Sequence, residues 1–147
     1  MAAVTQVDHL GIYVTDLEAA VRFWRDVVGL ECGEIESHPE SQLRLAHVVV
    51  NGVELELIEA PIEKTQLRHM PHPAAGLYHV GLRTDDLPGT VERLRAAGVR
   101  MLDEVPREGA GMRVQFTAPE GPGQGVMIEV VERLRPGPAD EALRRKR

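Results

Sequence analysis

An α+β fold built from two tandem β-α-β-β-β modules is the architecture that three observations in the sequence support. Asp8-His9-Leu10-Gly11-Ile12 and Tyr78-His79-Val80-Gly81-Leu82 stand 70 residues apart, each a histidine followed by apolar-Gly-apolar. The same offset carries the apolar stripe Leu17, Val21, Trp24 onto Leu87, Val91, Leu94. Further along, Leu55-Glu56-Leu57-Ile58-Glu59 recurs as Ile128-Glu129-Val130-Val131-Glu132 at an offset of 73, as a short insertion around Pro119-Glu120-Gly121-Pro122-Gly123 would produce. Self-similarity at a fixed period marks a duplicated supersecondary unit. One copy alone cannot bury both faces of its sheet. Helices cover one face and the other must meet the second copy.

The elements follow in order. Val4 to Val14 alternates and is rich in β-formers, which reads as a strand. Thr15-Asp16-Leu17-Glu18 has the capping-box pattern, with Thr15 as N-cap and Glu18 reaching back. Leu17, Val21, Trp24 and Val28 then recur at helical spacing until Gly29. Strands are expected at Glu31 to Ser37, Gln42 to Val50 and Val53 to Glu59, with Asn51-Gly52 as a type I′ hairpin turn. Periodicity lapses from Pro61 to Gly76, a linker. The second copy starts with a strand at Tyr78 to Thr84 and a helix capped by Asp86 that ends at Gly98. Strands at Arg100 to Pro106, Met112 to Thr117 and Val126 to Val131 complete it. Module one therefore covers 4–60, the linker 61–76 and module two 77–132, a single domain over 1–135. Residues 136–147 form a flexible tail whose basic end, Arg144-Arg145-Lys146-Arg147, reads as frayed and solvated.

Composition removes several classes of function. A net charge of −6 argues against general nucleic-acid binding. No apolar run approaches membrane-spanning length and the N-terminus lacks a signal pattern, so no membrane partner is expected. The lone Cys32 excludes an internal disulfide and fits a reducing, cytoplasmic setting.

Strand alternation sorts the side chains into two faces. Leu10, Ile12, Val14, Leu55, Leu57, Val80, Leu82, Val114, Phe116, Ile128 and Val130 make an apolar face to be covered by helices. The other face holds His9, Gly11, Tyr13; Leu43, Leu45, His47; Glu54, Glu56; His79, Gly81, Arg83; Arg113, Gln115, Thr117; and Met127, Glu129. Buried charges require a partner or a ligand. Two histidines and two glutamates at repeat-equivalent positions of one face favour a metal site. Imidazole with carboxylate suits a divalent ion such as Co²⁺, Mn²⁺, Zn²⁺ or Fe²⁺.

With those residues in view, the chain resembles the vicinal oxygen chelate superfamily from about Val7 to Glu132. That resemblance implies an incomplete eight-stranded barrel with helices outside, a homodimer, and a metal held by His9, Glu56, His79 and Glu129. Within the superfamily the chain is most similar to the methylmalonyl-CoA epimerases. Asp8-His9-Leu10-Gly11-Ile12, Pro39-Glu40, Gly98-Val99-Arg100, Asp103-Glu104 with Pro106, Gly109-Ala110-Gly111 and Gly125-Val126-Met127-Ile128-Glu129 carry this likeness. The epimerases usually have His-His where this chain has Tyr78-His79. Their Ser-Pro-Ile-type linker is replaced by Glu63 to Met70, and their His-Pro-Lys reads Ala118-Pro119-Glu120. A glutamate that some of them carry on the third strand is Leu45 here.

The function this implies is a divalent-metal-dependent epimerase or isomerase for a small molecule of the methylmalonyl-CoA type. It would act by proton transfer α to a carbonyl through a metal-stabilised enolate. Glu129 is the expected proton shuttle, with His47 or a bound water opposite; a satisfied or solvated ring is the alternative for His47. Tyr13, Tyr78, Arg83, Arg113 and Gln115 are the expected substrate-binding residues, with pairing to Glu54 or Glu56 as the alternative for both arginines. Alternatives to the whole reading are an epimerase of a polyhydroxylated ketone of the valiolone type, glyoxalase or extradiol dioxygenase chemistry, and a non-catalytic drug-binding resistance protein.

Overall fold

Hairpin chemistry at Asn51-Gly52 sets the register of the first copy. Both residues take positive φ, 39° and 93°, as a type I′ turn requires. In the computed structural model, which describes residues 2–146, this turn joins strand β4 (Leu43–Val50) to β5 (Val53–Glu59). The pairing sets His47 opposite Glu56 and Val48 opposite Leu55. Strand β1 (Val4–Tyr13) then lies parallel to β5, with His9 beside Glu54 and Gly11 beside Glu56.

The second copy repeats this arrangement. Strand β6 (Gly76–Thr84) runs parallel to β9 (Ile128–Arg133), with Gly81 beside Glu129, as Gly11 stands beside Glu56. Strand β8 (Met112–Phe116) pairs antiparallel with β9, setting Phe116 opposite Glu129. The fold class is the expected one, α+β with two β-α-β-β-β copies.

The described chain divides into two units. A first-repeat unit takes His9–Tyr78 and the chain from Pro138 onward; a second-repeat unit takes the chain up to Asp8 and His79–Gly137. Each has its own apolar core under one helix. In the first-repeat unit Leu17 and Val21 of helix α1 (Leu17–Arg22) pack on Ala46, Val48 and Leu57. In the second-repeat unit Leu87 and Val91 of α2 (Leu87–Ala96) pack on Met101 and Val130. No helix among the described residues is long and apolar enough to cross a membrane.

Five local expectations are corrected. Helix α1 is capped by Asp16, whose carboxylate accepts from the Ala19 N–H at 3.0 Å, and not by Thr15. Glu18 does not reach back, because it pairs with Arg44 across the unit. The helix then loosens into a π-helical turn over Phe23–Val27 before Gly29. The strand expected over Glu31 to Ser37 is two short ones, β2 (Glu31–Cys32) and β3 (Glu36–His38), both paired to β4. The strand expected at Arg100 to Pro106 does not form. Met101 makes one bridge to Thr117, and the Asp103 carboxylate takes the Phe116 N–H at 2.8 Å where a strand would use backbone. Proline cannot donate to a ladder, and the short strand β7 (Arg107–Gly109) begins only after Pro106. Finally, the expected tail at 136–147 contains helix α3 (Pro138–Arg145), which buries Ala139 and Ala142 within the first-repeat unit.

Candidate metal and proton-transfer site

In the second-repeat unit, His79 and Glu129 meet on neighbouring strands. Gly81 beside Glu129 fixes the parallel register, and the His79 ring reaches Glu129 with Nε2 2.8 Å from Oε2. His79 is 3% and Glu129 6% exposed. The Phe116 ring stands edge-on to the imidazole, with centroids 5.2 Å apart, and so walls this pair with apolar surface. A charged carboxylate held that deep needs a cation or a donor, and a neutral imidazole with a carboxylate is a ligand pair for a borderline divalent ion.

In the first-repeat unit, His9 is 1% exposed on β1 and lies beside Glu54 of β5. Glu56, the repeat equivalent of Glu129, follows on the same face. His47 of β4 stands across from Glu56, and its Nδ1 is 3.0 Å from Glu54 Oε1. His47, Glu54 and Glu56 each offer a ligand atom, all within 4.8 Å of one another. Burial pulls the His47 pKa down, but the carboxylates of Glu54, Glu56 and Glu36 outweigh it and raise the pKa to about 9. The residues named from the sequence as ligands therefore sit on strands in equivalent registers, with donor chemistry that fits a divalent metal.

Residues 6–130 match the family model described as Glyoxalase/Bleomycin resistance protein/Dioxygenase superfamily. The chain belongs to this superfamily. Among curated relatives, the ethylmalonyl-CoA/methylmalonyl-CoA epimerase of Cereibacter sphaeroides is 28% identical over 131 residues, covering 86% of this chain and 97% of that protein. The lactoylglutathione lyase of Haemophilus influenzae is 30% identical over 131 residues, covering 86% and 92%. Among solved structures, a Streptomyces coelicolor methylmalonyl-CoA epimerase in complex with 2-nitronate-propionyl-CoA superposes with a TM-score of 0.78 at 28% identity, covering 90% of this chain and 100% of that one.

Several residues expected to bind substrate in this superfamily member are otherwise engaged. Arg83 donates twice to Asp8 Oδ2, at 3.0 and 2.8 Å, and Arg133 adds bonds to both Asp8 oxygens at 2.9 and 2.8 Å. Arg83 thus pairs with Asp8. Arg113 and Gln115 fall on the opposite face to that assigned. Gln115 stands opposite Val130, a core residue under α2, and it is buried at 2% with its amide donating to the Asp103 carbonyl. Arg113 pairs with Glu108 at 3.0 Å and with Glu132 at 3.3 Å, and Glu132 also accepts from the first N–H of α2. Phe116, expected under the helix, takes the face of His79 instead. Tyr13 donates its hydroxyl to the Ala60 carbonyl at 2.5 Å, and burial, with Glu59 and Glu63 nearby, raises its pKa. Tyr78 is buried at 7%.

Sequence reasoning missed Asp8 and Glu54 as anchors. The signal was available for Glu54: its repeat equivalent is Met127, so a carboxylate stands where the duplicate carries a thioether.

Proposed function

We propose that this chain is a divalent-metal-dependent epimerase that moves a proton α to the thioester carbonyl of a methylmalonyl-CoA-type substrate. The observation that carries the reading is the buried His79–Glu129 pair, at 2.8 Å, in a chain aligned along 97% of an ethylmalonyl-CoA/methylmalonyl-CoA epimerase. His9, Glu56, His79 and Glu129 would hold the ion. When bound, that ion supplies Lewis-acid stabilisation of the charge that builds on the substrate oxygens. The chain's own part is proton handling and the exclusion of water. Glu129 carries the carboxylate that takes the α-proton, and Phe116 and His79 limit the water that reaches it. Leu45 has no proton to give and His47 is turned toward Glu54, with Nδ1 3.0 Å from its Oε1, so water serves the opposite face of the substrate. Proton transfer by a positioned group contributes on the order of 10² to 10⁴ in rate.

The anion at Glu120, where the epimerases have a lysine, weighs less against a polyanionic coenzyme than its charge suggests. Arg100 donates to Glu120 at 2.8 and 2.5 Å, so positive charge accompanies it. The superfamily likeness to a lactoylglutathione lyase keeps glyoxalase-type isomerisation as the second reading.

Circular dichroism of a single epimer of methylmalonyl-CoA tests the proposal. The signal is expected to decay to that of the equilibrium mixture of the two epimers with purified protein. Decay should stop after a chelator and resume when Co²⁺ is returned. A signal that never decays, with turnover of a glutathione hemithioacetal instead, would replace this reading with the second.

A further inference from the structure

The duplicated register provides an internal control for every position on the polar face. Across from Glu56 stands His47, whereas across from its equivalent Glu129 stands Phe116. Two residues before Glu56 is Glu54, 2% exposed, and two residues before Glu129 is Met127, 1% exposed. The fold thus builds the same pair of positions from Phe and Met in one copy and from His and Glu in the other. Nothing in the strand geometry requires the polar pair.

The polar pair is also arranged unlike a structural ion pair. His47 Nδ1 and Glu54 Oε1 are 3.0 Å apart, yet neither buried atom completes a hydrogen bond. A structural pair aims its N–H at the oxygen. Two such atoms, this close without lining up, can instead converge on a third point, an ion displacing the proton from Nδ1. Cis ligands on a metal with bonds of about 2.1 Å stand about 3.0 to 3.4 Å apart at octahedral or tetrahedral angles. A Glu56 oxygen completes a three-donor group within 4.8 Å.

The approach to this group is acidic. A cavity of about 350 Å³ is lined by His47 together with Glu31, Glu34, Glu36, Glu141 and Arg145, four carboxylates against one guanidinium. Glu36 lies 3.7 Å from His47 Nε2. A cleft lined by one sign of charge concentrates counter-ions.

We propose that His47, Glu54 and Glu56 bind a divalent cation of their own within the first-repeat unit, entering through the acidic cavity between β2–β4 and α3. The ligand class is a borderline divalent ion, set by one imidazole and two carboxylates. Glu56 has two carboxylate oxygens, so ligation here does not remove it from the set proposed above. The inference rests on that set only for its count of ions.

Co²⁺ binding to the full chain, stripped with chelator and dialysed, tests it by visible absorption and by metal analysis. The wild type is expected to take up about two ions per chain. A His47→Phe/Glu54→Met double variant, which installs the pair already tolerated in the other copy, should fall to one. His79→Ala should also fall to one and keep the absorption bands that the double variant loses. A wild type that binds a single ion, with the double variant unchanged, would overturn this inference and leave the proposed function standing. A single ion lost in both variants would overturn it too, by placing His47 in the same site as His79. Two ions that both survive His79→Ala would instead contradict the proposed function and leave this inference intact.

Discussion

Each unit buries a carboxylate on its sheet, and the two are satisfied in opposite ways. Asp8, in the second-repeat unit, accepts four hydrogen bonds from Arg83 and Arg133 at 2.8 to 3.0 Å. Glu54, in the first-repeat unit, faces a single imidazole off the hydrogen-bond line. Charge-assisted bonds in fork geometry are the strong ones, so Asp8 is a finished structural cluster. Glu54 is a buried carboxylate group whose Oε1 lacks a hydrogen-bond partner, an arrangement open to a ligand. The contrast teaches how a duplicated fold divides labour. Asp8 is closed by arginine, whereas Glu54 keeps a buried oxygen without a hydrogen bond.

The difference is sharpest in stability. Asp8→Ala would leave two partly buried guanidiniums without their acceptor, and breaking a buried pair in this way costs about 3 to 5 kcal/mol. Urea denaturation of metal-free protein should show a loss of that size. A second expectation concerns pH. In metal-free protein the folded His47 pKa is about 9, above its ordinary 6.5. The proton is thus bound more tightly in the folded state. The stabilisation is fully present below pH 6.5 and lost as pH rises through 9. Urea midpoints measured across that window should fall with pH in the wild type and lose that slope in His47→Phe/Glu54→Met. Smaller effects attend the helix caps. Asp16 and Asp86 each accept from an N–H three residues on, at 3.0 and 3.1 Å, and Ala at either position should cost about 1 kcal/mol. The smallest change belongs to the double variant itself. Exchanging buried polar groups that lack a completed hydrogen bond for apolar residues of similar volume is often neutral or stabilising, so its stability at pH 6.5 in chelator should fall by less than about 1 kcal/mol.

The equivalence of the two repeats was legible in the sequence, whereas the contrast between Asp8 and Glu54 was not. The repeat put His9 with His79 and Glu56 with Glu129, and the registers Gly11–Glu56 and Gly81–Glu129 reproduce that equivalence. Asn51-Gly52 and the Asp86 cap were readable because each is decided by local chemistry. The errors share a different origin. Alternation identifies faces only when counted along an unbroken, correctly phased strand. The stretch before Pro106 is not a strand, and β8 is phased by its pairing with β9, which put Gln115 against Val130 and turned Arg113 away from His79's face. The choice of Asp16 over Thr15 as cap turned on Glu18 having a long-range partner in Arg44. Helix α3 carries only two small buried apolar residues, Ala139 and Ala142, too weak a stripe to separate from a charged tail.

Incubation of methylmalonyl-CoA with metal-loaded protein in deuterium oxide, read by proton NMR at the α-carbon, addresses the central claim most directly. The wild type should exchange the α-proton at a catalysed rate, and Glu129→Gln should lower that rate by about 10²-fold or more, as expected for removal of the group that takes the proton. Equal exchange in Glu129→Gln, or none above the buffer rate in the wild type, would contradict the account.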